Sequence, residues 1–205
     1  MFLQSLLLHR WQKKEWQRHN LLLCFLMECV LYPLYKTHFF MSHVSLLAIR
    51  KSKFGKGLFA KDKIAAGTVL CNVTGPILSF QQTLELIDES HGLQIAPDTY
   101  ILCEPPFLYS NHSCTPNCAL NAQLQMFTLS AINRNEELFW DYSTSMLERH
   151  WTMPCMCGAV NCRQVITDFD LLPEDLQAFY INKEIVLPFI LTQLQTFSKV
   201  HGHRA

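Results

Sequence analysis

Between Leu46 and Leu78 the apolar positions come in short runs, Ala48-Ile49, Leu58-Phe59 and Val69-Leu70, broken by polar residues and by turn formers such as Gly75-Pro76. Runs this brief, punctuated this often, predict short strands joined by turns. Residues 83–88 carry the spacing of one or two helical turns. Strand character returns at His91-Gly92-Leu93-Gln94-Ile95 and at Thr99-Tyr100-Ile101-Leu102. Pro105-Pro106 predicts an extended or loop segment, because a residue before proline avoids the helical region. Leu124-Gln125-Met126-Phe127-Thr128-Leu129 alternates as a strand does, Asn133-Arg134-Asn135 predicts a turn, and Glu137-Leu138-Phe139-Trp140 opens another strand.

The period changes near the C-terminus. Pro173 followed by Glu174-Asp175 is a favoured helix opening, with acids placed in the first turn. Leu176, Phe179 and Tyr180 then share a helical face, and Ile190, Leu191, Leu194 and Phe197 continue the pattern after Pro188. The first forty residues differ again. Leu21 to Tyr32 is strongly apolar but shorter than the roughly 20 residues a spanning helix needs, and it contains Glu28 and ends at Pro33. Three readings stand: a membrane anchor, an amphipathic or core-packing helix, or a segment upstream of a translation start at Met41.

Composition narrows the class. The chain has 205 residues, enough for one domain with an appendage, and its 49% hydrophobic content supplies a core. Seventeen basic and 17 acidic residues cancel, so no charge excess argues for direct nucleic-acid binding. Nine cysteines are an odd number and only the downstream set is clustered, which favours metal binding in a reducing compartment, cytoplasmic or nuclear, over a disulfide scaffold. Cys24, Cys29, Cys71 and Cys103 show no ligand spacing.

The candidate chemistry lies in four stretches: Gly55-Lys56-Gly57-Leu58-Phe59-Ala60, Asn111-His112-Ser113-Cys114-Thr115-Pro116-Asn117-Cys118, Glu137-Leu138-Phe139-Trp140-Asp141-Tyr142, and Cys155-Met156-Cys157-Gly158 with Cys162. The last offers three thiolates on one short loop, and a structural zinc site needs a fourth ligand from elsewhere. In this order the stretches resemble a SET-domain protein-lysine methyltransferase with a post-SET zinc motif, of the small stand-alone type, over residues 46–163.

The resemblance implies a mostly β (α+β) fold of short strands with a knot-like active-site region, a zinc cap and a helical C-terminal tail. Residues 1–40 would be an apolar extension, 41–150 the SET domain, 151–167 the cap and 168–205 the tail. It implies S-adenosylmethionine as cofactor, bound by Gly55, Lys56, Gly57, Asn111, His112 and Met156, with Tyr142 catalytic and Tyr109 and Trp140 in the substrate channel. The glycines would let the backbone approach the cofactor where a β-carbon would obstruct. Cys114 would join Cys155, Cys157 and Cys162 on zinc, with Cys118 buried instead. The partner implied is a protein with an exposed lysine, a histone tail or another protein; no oligomeric state is indicated.

Two positions depart from the family pattern. Leu108 stands where many relatives have arginine, and Trp140 where they have the phenylalanine or tyrosine that governs methyl number. Rival readings are a catalytically silent SET-like binding module and a zinc-stabilised interaction domain that takes no cofactor.

Overall fold

The computed structural model describes residues 43–86, 88 and 91–201. The apolar run 21–32 and the other expectations for residues 1–40 lie outside them. Among the described residues no helix is long and apolar enough to cross a membrane.

Short strands dominate. β1 (Leu47–Ser52) and β2 (Gly55–Ala60) form an antiparallel hairpin, with Leu47 paired to Ala60 and Ser52 to Gly55. The turn between them uses Gly55 at φ +100, a conformation costly to any residue with a β-carbon. β3 (Val69–Asn72), β8 (Cys118–Leu120) and β9 (Gln125–Thr128) make an antiparallel sheet with β9 central. Along β9 the predicted alternation holds, with Met126 and Thr128 inward and Gln125 and Phe127 half-buried. A third sheet joins β4 (Ile77–Leu78), β6 (Thr99–Leu102) and β5 (Gly92–Ala96). Leu58, Leu70, Leu120, Met126, Ile132 and Leu138 are fully enclosed in the common core.

Two pairings position the site. β7 (Asn111–His112) lies parallel to β10 (Phe139–Trp140), with Phe139 opposite Asn111 and Trp140 opposite His112. This is the junction at which the asparagine-histidine and aspartate-tyrosine stretches meet. β11 (Met153–Pro154) pairs antiparallel with β12 (Val165–Ile166), closing the cysteine loop between them.

The helical turn expected at 83–88 occurs earlier, as α1 (Phe80–Thr83). Ser79 accepts the Gln82 amide while Gln82 Oε1 accepts the Ser79 amide, a capping box that starts the helix ahead of the residues with helical spacing. The C-terminal helices are α2 (Glu174–Asn182), opened by Pro173 as predicted, and α3 (Pro188–His201). Ile190 is fully buried and Leu191 and Leu194 pack beside it. Two predicted positions are corrected: Tyr180 is 2% exposed but Phe179 is 52% exposed and turned outward against Lys183, and Phe197, expected on the apolar face of α3, is 55% exposed.

Tyr180 does more than fill space. Its hydroxyl donates to Asp141 Oδ2 at 2.8 Å, tying α2 to the residue before Tyr142. Tyr180→Phe removes a hydrogen bond to a buried carboxylate and should lower unfolding free energy by about 2 kcal/mol in urea titration. Phe179→Ala should change it by less than about 1 kcal/mol.

Candidate active site and four-cysteine cluster

Two cavities flank the β7–β10 junction. The larger, about 390 Å³, is walled by Asn111, His112, Met156 and Cys157, and also by Lys53 and Phe54. The smaller is a slot of about 60 Å³, lined at one end by Phe107, Leu108, Ser110, Trp140 and Tyr142. Tyr142 belongs to both walls. The size of the first suits a small-molecule ligand; the second has room for a narrow chain or a few waters.

The phenol of Tyr142 donates to the Ser110 carbonyl at 3.0 Å. Burial pushes its pKa well above the ordinary tyrosine value, so it stays a phenol at working pH. Its ring packs 4.9 Å from Trp140, which packs 5.4 Å from Phe107. Trp140 Nε1 is buried and has no hydrogen-bond partner in the protein.

His112 is fixed from both sides. The Tyr142 amide donates to Nδ1 at 3.2 Å, and Nε2 lies 3.4 Å from Cys114 Sγ. With Nδ1 accepting, the neutral ring carries its proton on Nε2, directed at the sulfur. Burial drives the His112 pKa down to about 4, only partly opposed by the Asp141 charge. The His112 side chain links Tyr142 to the cysteines, and the residue also lines the large cavity where its side chain and backbone were expected to meet cofactor.

Asn111 donates through Nδ2 to the Lys56 carbonyl at 3.0 Å and to Glu137 Oε1 at 2.8 Å. With Nδ2 engaged inside the fold, Oδ1 is the side-chain atom that can answer a ligand. Glu137 also accepts from Ser52 at 3.0 Å, which places its carboxylate where a β-carbon on Gly57 would overlap it. Gly57 is therefore required by a carboxylate of the protein itself. Of Gly55, Lys56 and Gly57 it is the Lys56 carbonyl that holds Asn111 from β2, and the turn residues Lys53 and Phe54 line the cavity. Both stand directly before the glycine stretch, a position that sequence reasoning passed over.

Tyr109 stands apart from both cavities. Phe107–Tyr109 is a 3-10 turn, whose successive side chains splay by about a third of a circle. Phe107 and Leu108 face the slot, while Tyr109 lines neither cavity and packs under the Lys56 ammonium at 5.0 Å. The leucine that replaces the family's arginine is thus itself part of the slot wall.

Asp141 is held by Arg163 through two hydrogen bonds of 2.7 Å, by the Ser143 amide at 3.1 Å and by Tyr180. Burial works against the charge of Arg163, but the Asp141 carboxylate more than compensates and raises its pKa. Arg163 follows the last cysteine, so this ion pair clamps the cysteine loop onto the β10 end of the site.

Cys114, Cys155, Cys157 and Cys162 present four sulfurs within 4.8 Å of one another. Cys114 and Cys155 are 3.7 Å apart. A tetrahedral ion with metal–sulfur bonds of about 2.3 Å has sulfur–sulfur edges of about 3.8 Å, so the set fits zinc. Amides of Arg163 and Ala159 point at the sulfurs of Cys114 and Cys157, at 3.4 and 3.5 Å. Gly158 supplies φ +77 where the loop reverses. Burial raises the Cys155 and Cys114 thiols, whereas at Cys157 amide and thiol hydrogen bonds overcome burial and lower the pKa to about 6. Such a crowd of sulfurs takes up four negative charges only around a cation. Cys118 is fully buried in the core, away from the cluster.

Residues 55–143 match the family model for the SET domain. The chain carries a SET domain. A solved structure of the methyltransferase domain of human histone-lysine N-methyltransferase SETMAR shares this fold at a TM-score of 0.50 and 23% identity, over 60% of this chain and 58% of that one. Among curated relatives, histone-lysine N-methyltransferase ash1 of Drosophila melanogaster is 29% identical over 129 residues, 55% of this chain and 6% of that protein. The variant-silencing SET domain-containing protein of Plasmodium falciparum is 29% identical over 188 residues, 78% of this chain and 7% of its own. Human histone-lysine N-methyltransferase 2B is 28% identical over 134 residues, 57% of this chain and 5% of that protein. The chain thus spans less than a tenth of the length of these SET proteins.

Elemental analysis should find about one zinc per chain, as a closed four-thiolate site requires. Cys114→Ala should lower zinc occupancy and Cys118→Ala should leave it unchanged. Full zinc in the Cys114→Ala protein would remove Cys114 from the ligand set. Arg163→Met should destabilise the fold by about 3–5 kcal/mol in denaturant titration, because it leaves Asp141 buried and without its cation.

Proposed function

We propose that this SET domain is a protein-lysine N-methyltransferase using S-adenosylmethionine. The observation that carries the reading is Tyr142 standing in the walls of both cavities, so that a donor on one side and an acceptor on the other come together at one phenol. The relatives named as histone-lysine methyltransferases support a lysine of a histone or another protein as acceptor.

S-adenosylmethionine, when bound, supplies a methyl group on a cationic sulfonium. Asn111 Oδ1, the backbone of His112, the Lys53 ammonium and the Phe54 and Met156 side chains are the groups that would hold it in the large cavity. Zinc on the four cysteines would hold Cys157, Met156 and the rest of that wall in place.

The slot acts on the lysine. A free lysine has a pKa of about 10.4 and arrives protonated. The apolar walls formed by Phe107, Leu108 and Met146 disfavour the ammonium and favour the neutral amine that attacks. The Tyr142 hydroxyl donates a hydrogen bond to the Ser110 carbonyl, which leaves the phenol oxygen to accept from the amine and align its lone pair. Catalysis on this scheme is positioning and desolvation, with no charged base at the floor.

Tyr142→Phe should leave zinc content and cofactor affinity nearly unchanged while single-turnover methylation falls about a hundredfold or more. Asn111→Ala should weaken cofactor binding measured by calorimetry. Between pH 7 and 9 the wild-type rate should rise as the substrate amine loses its proton, with no decline from Tyr142, whose raised pKa keeps it protonated there. Wild-type turnover in Tyr142→Phe removes the phenol from the mechanism. Cofactor binding with no methylation across a lysine-peptide library establishes the silent binding module instead.

A further inference from the structure

The two ends of the slot differ in chemistry. Trp140 and Phe107 at the inner end are buried, whereas at the outer end Phe80 and Trp151 are half-exposed and His150 is exposed. Among the described residues lining the slot, Glu148 is the one carboxylate, and it stands at this outer end. The Tyr100 hydroxyl donates to Glu148 Oε2, and the Trp151 amide donates to the same carboxylate, so its orientation is fixed. A carboxylate accepts about four hydrogen bonds, so capacity remains. The neighbouring Arg149 turns the other way, towards Asp168 and Asp170. Around Glu148 the Phe80 ring lies 6.1 Å from Tyr100 and 5.1 Å, edge-on, from His150.

A fixed carboxylate among aromatic faces matches a planar cation. A guanidinium can pair its fork with the carboxylate and lay its face on a ring within about 6 Å. The target amine is not that cation, because its reactive position is at the Tyr142 end of the slot. We propose that Glu148, with Phe80, Tyr100 and Trp151, forms a subsite for an arginine side chain flanking the target lysine, and so sets the sequence preference of the enzyme. The inference rests on the methyltransferase reading above and deepens it.

The test uses lysine-peptide libraries in which the residue before or after lysine is arginine or citrulline, its neutral near-isostere, with the full chain and its Glu148→Gln variant. Wild type should show kcat/KM about tenfold or more higher for one arginine-flanked set than for its citrulline counterpart. In Glu148→Gln that preference should shrink to about twofold or less, with the citrulline peptides turned over as by wild type. Equal use of arginine and citrulline peptides by an active wild type overturns the subsite and leaves the methyltransferase reading standing. A uniform loss on all peptides in Glu148→Gln, at unchanged zinc content and thermal midpoint, also overturns it, because Glu148 would then act on the target lysine. If wild type methylates nothing, the methyltransferase reading falls, and fluorescence anisotropy of the same peptides still decides the subsite by whether arginine is preferred and Glu148→Gln abolishes the preference.

Discussion

Asp141 is the point on which the site depends. Its carboxylate is almost completely buried, and a buried charge is tolerable only when its hydrogen-bonding capacity is met. Here Arg163 arrives from the cysteine loop, Tyr180 from α2 and the Ser143 amide from the following turn. Three parts of the chain that share no strand pairing converge on one acceptor. The next residue, Tyr142, inherits its placement from that convergence, and its amide in turn fixes the tautomer of His112, whose other nitrogen faces the cysteine cluster. Phenol, imidazole and the clustered cysteine sulfurs therefore form one connected network.

The charge pattern divides the molecule's labour. The inner end of the slot carries no charged side chain, while the Glu148 carboxylate sits farther out, where a cationic group entering the slot would meet it first. Burial raises the pKa of Glu148, with Asp168 adding to the shift, which marks how sheltered even this outer end is. On the opposite face the large cavity offers Lys53, whose ammonium is tethered to the Cys157 carbonyl at 2.8 Å, so a cofactor group bound there would also feel the state of the cysteine loop.

Much of this was legible from the sequence because the motif-bearing stretches are short and dense. The parallel register of Asn111-His112 with Phe139-Trp140 brings together residues already suspected, and the sulfur of Cys114 joins Cys155, Cys157 and Cys162. Other features depend on which way a side chain points, which motif spacing does not encode. Leu108 lines the slot and Tyr109 does not, because the segment after Pro106 is a 3-10 turn. The Asp141–Arg163 pair spans 22 residues and two motifs, and no local pattern signals it. The start of α1 is set by Ser79 and Gln82, whose capping-box spacing lies ahead of the residues with helical spacing. Phe179 was misplaced for a similar reason: the periodicity of a short helix constrains its buried face only loosely.

The shared wall at Tyr142 has a consequence for inhibition. Two compartments that open on different sides of one side chain can be filled independently, so a compound occupying the slot leaves the large cavity open, and the reverse. Inhibitors directed at one compartment should then be noncompetitive towards the ligand of the other. A single molecule that occupied both would have to pass the phenol ring, and its linker would need to be narrow there.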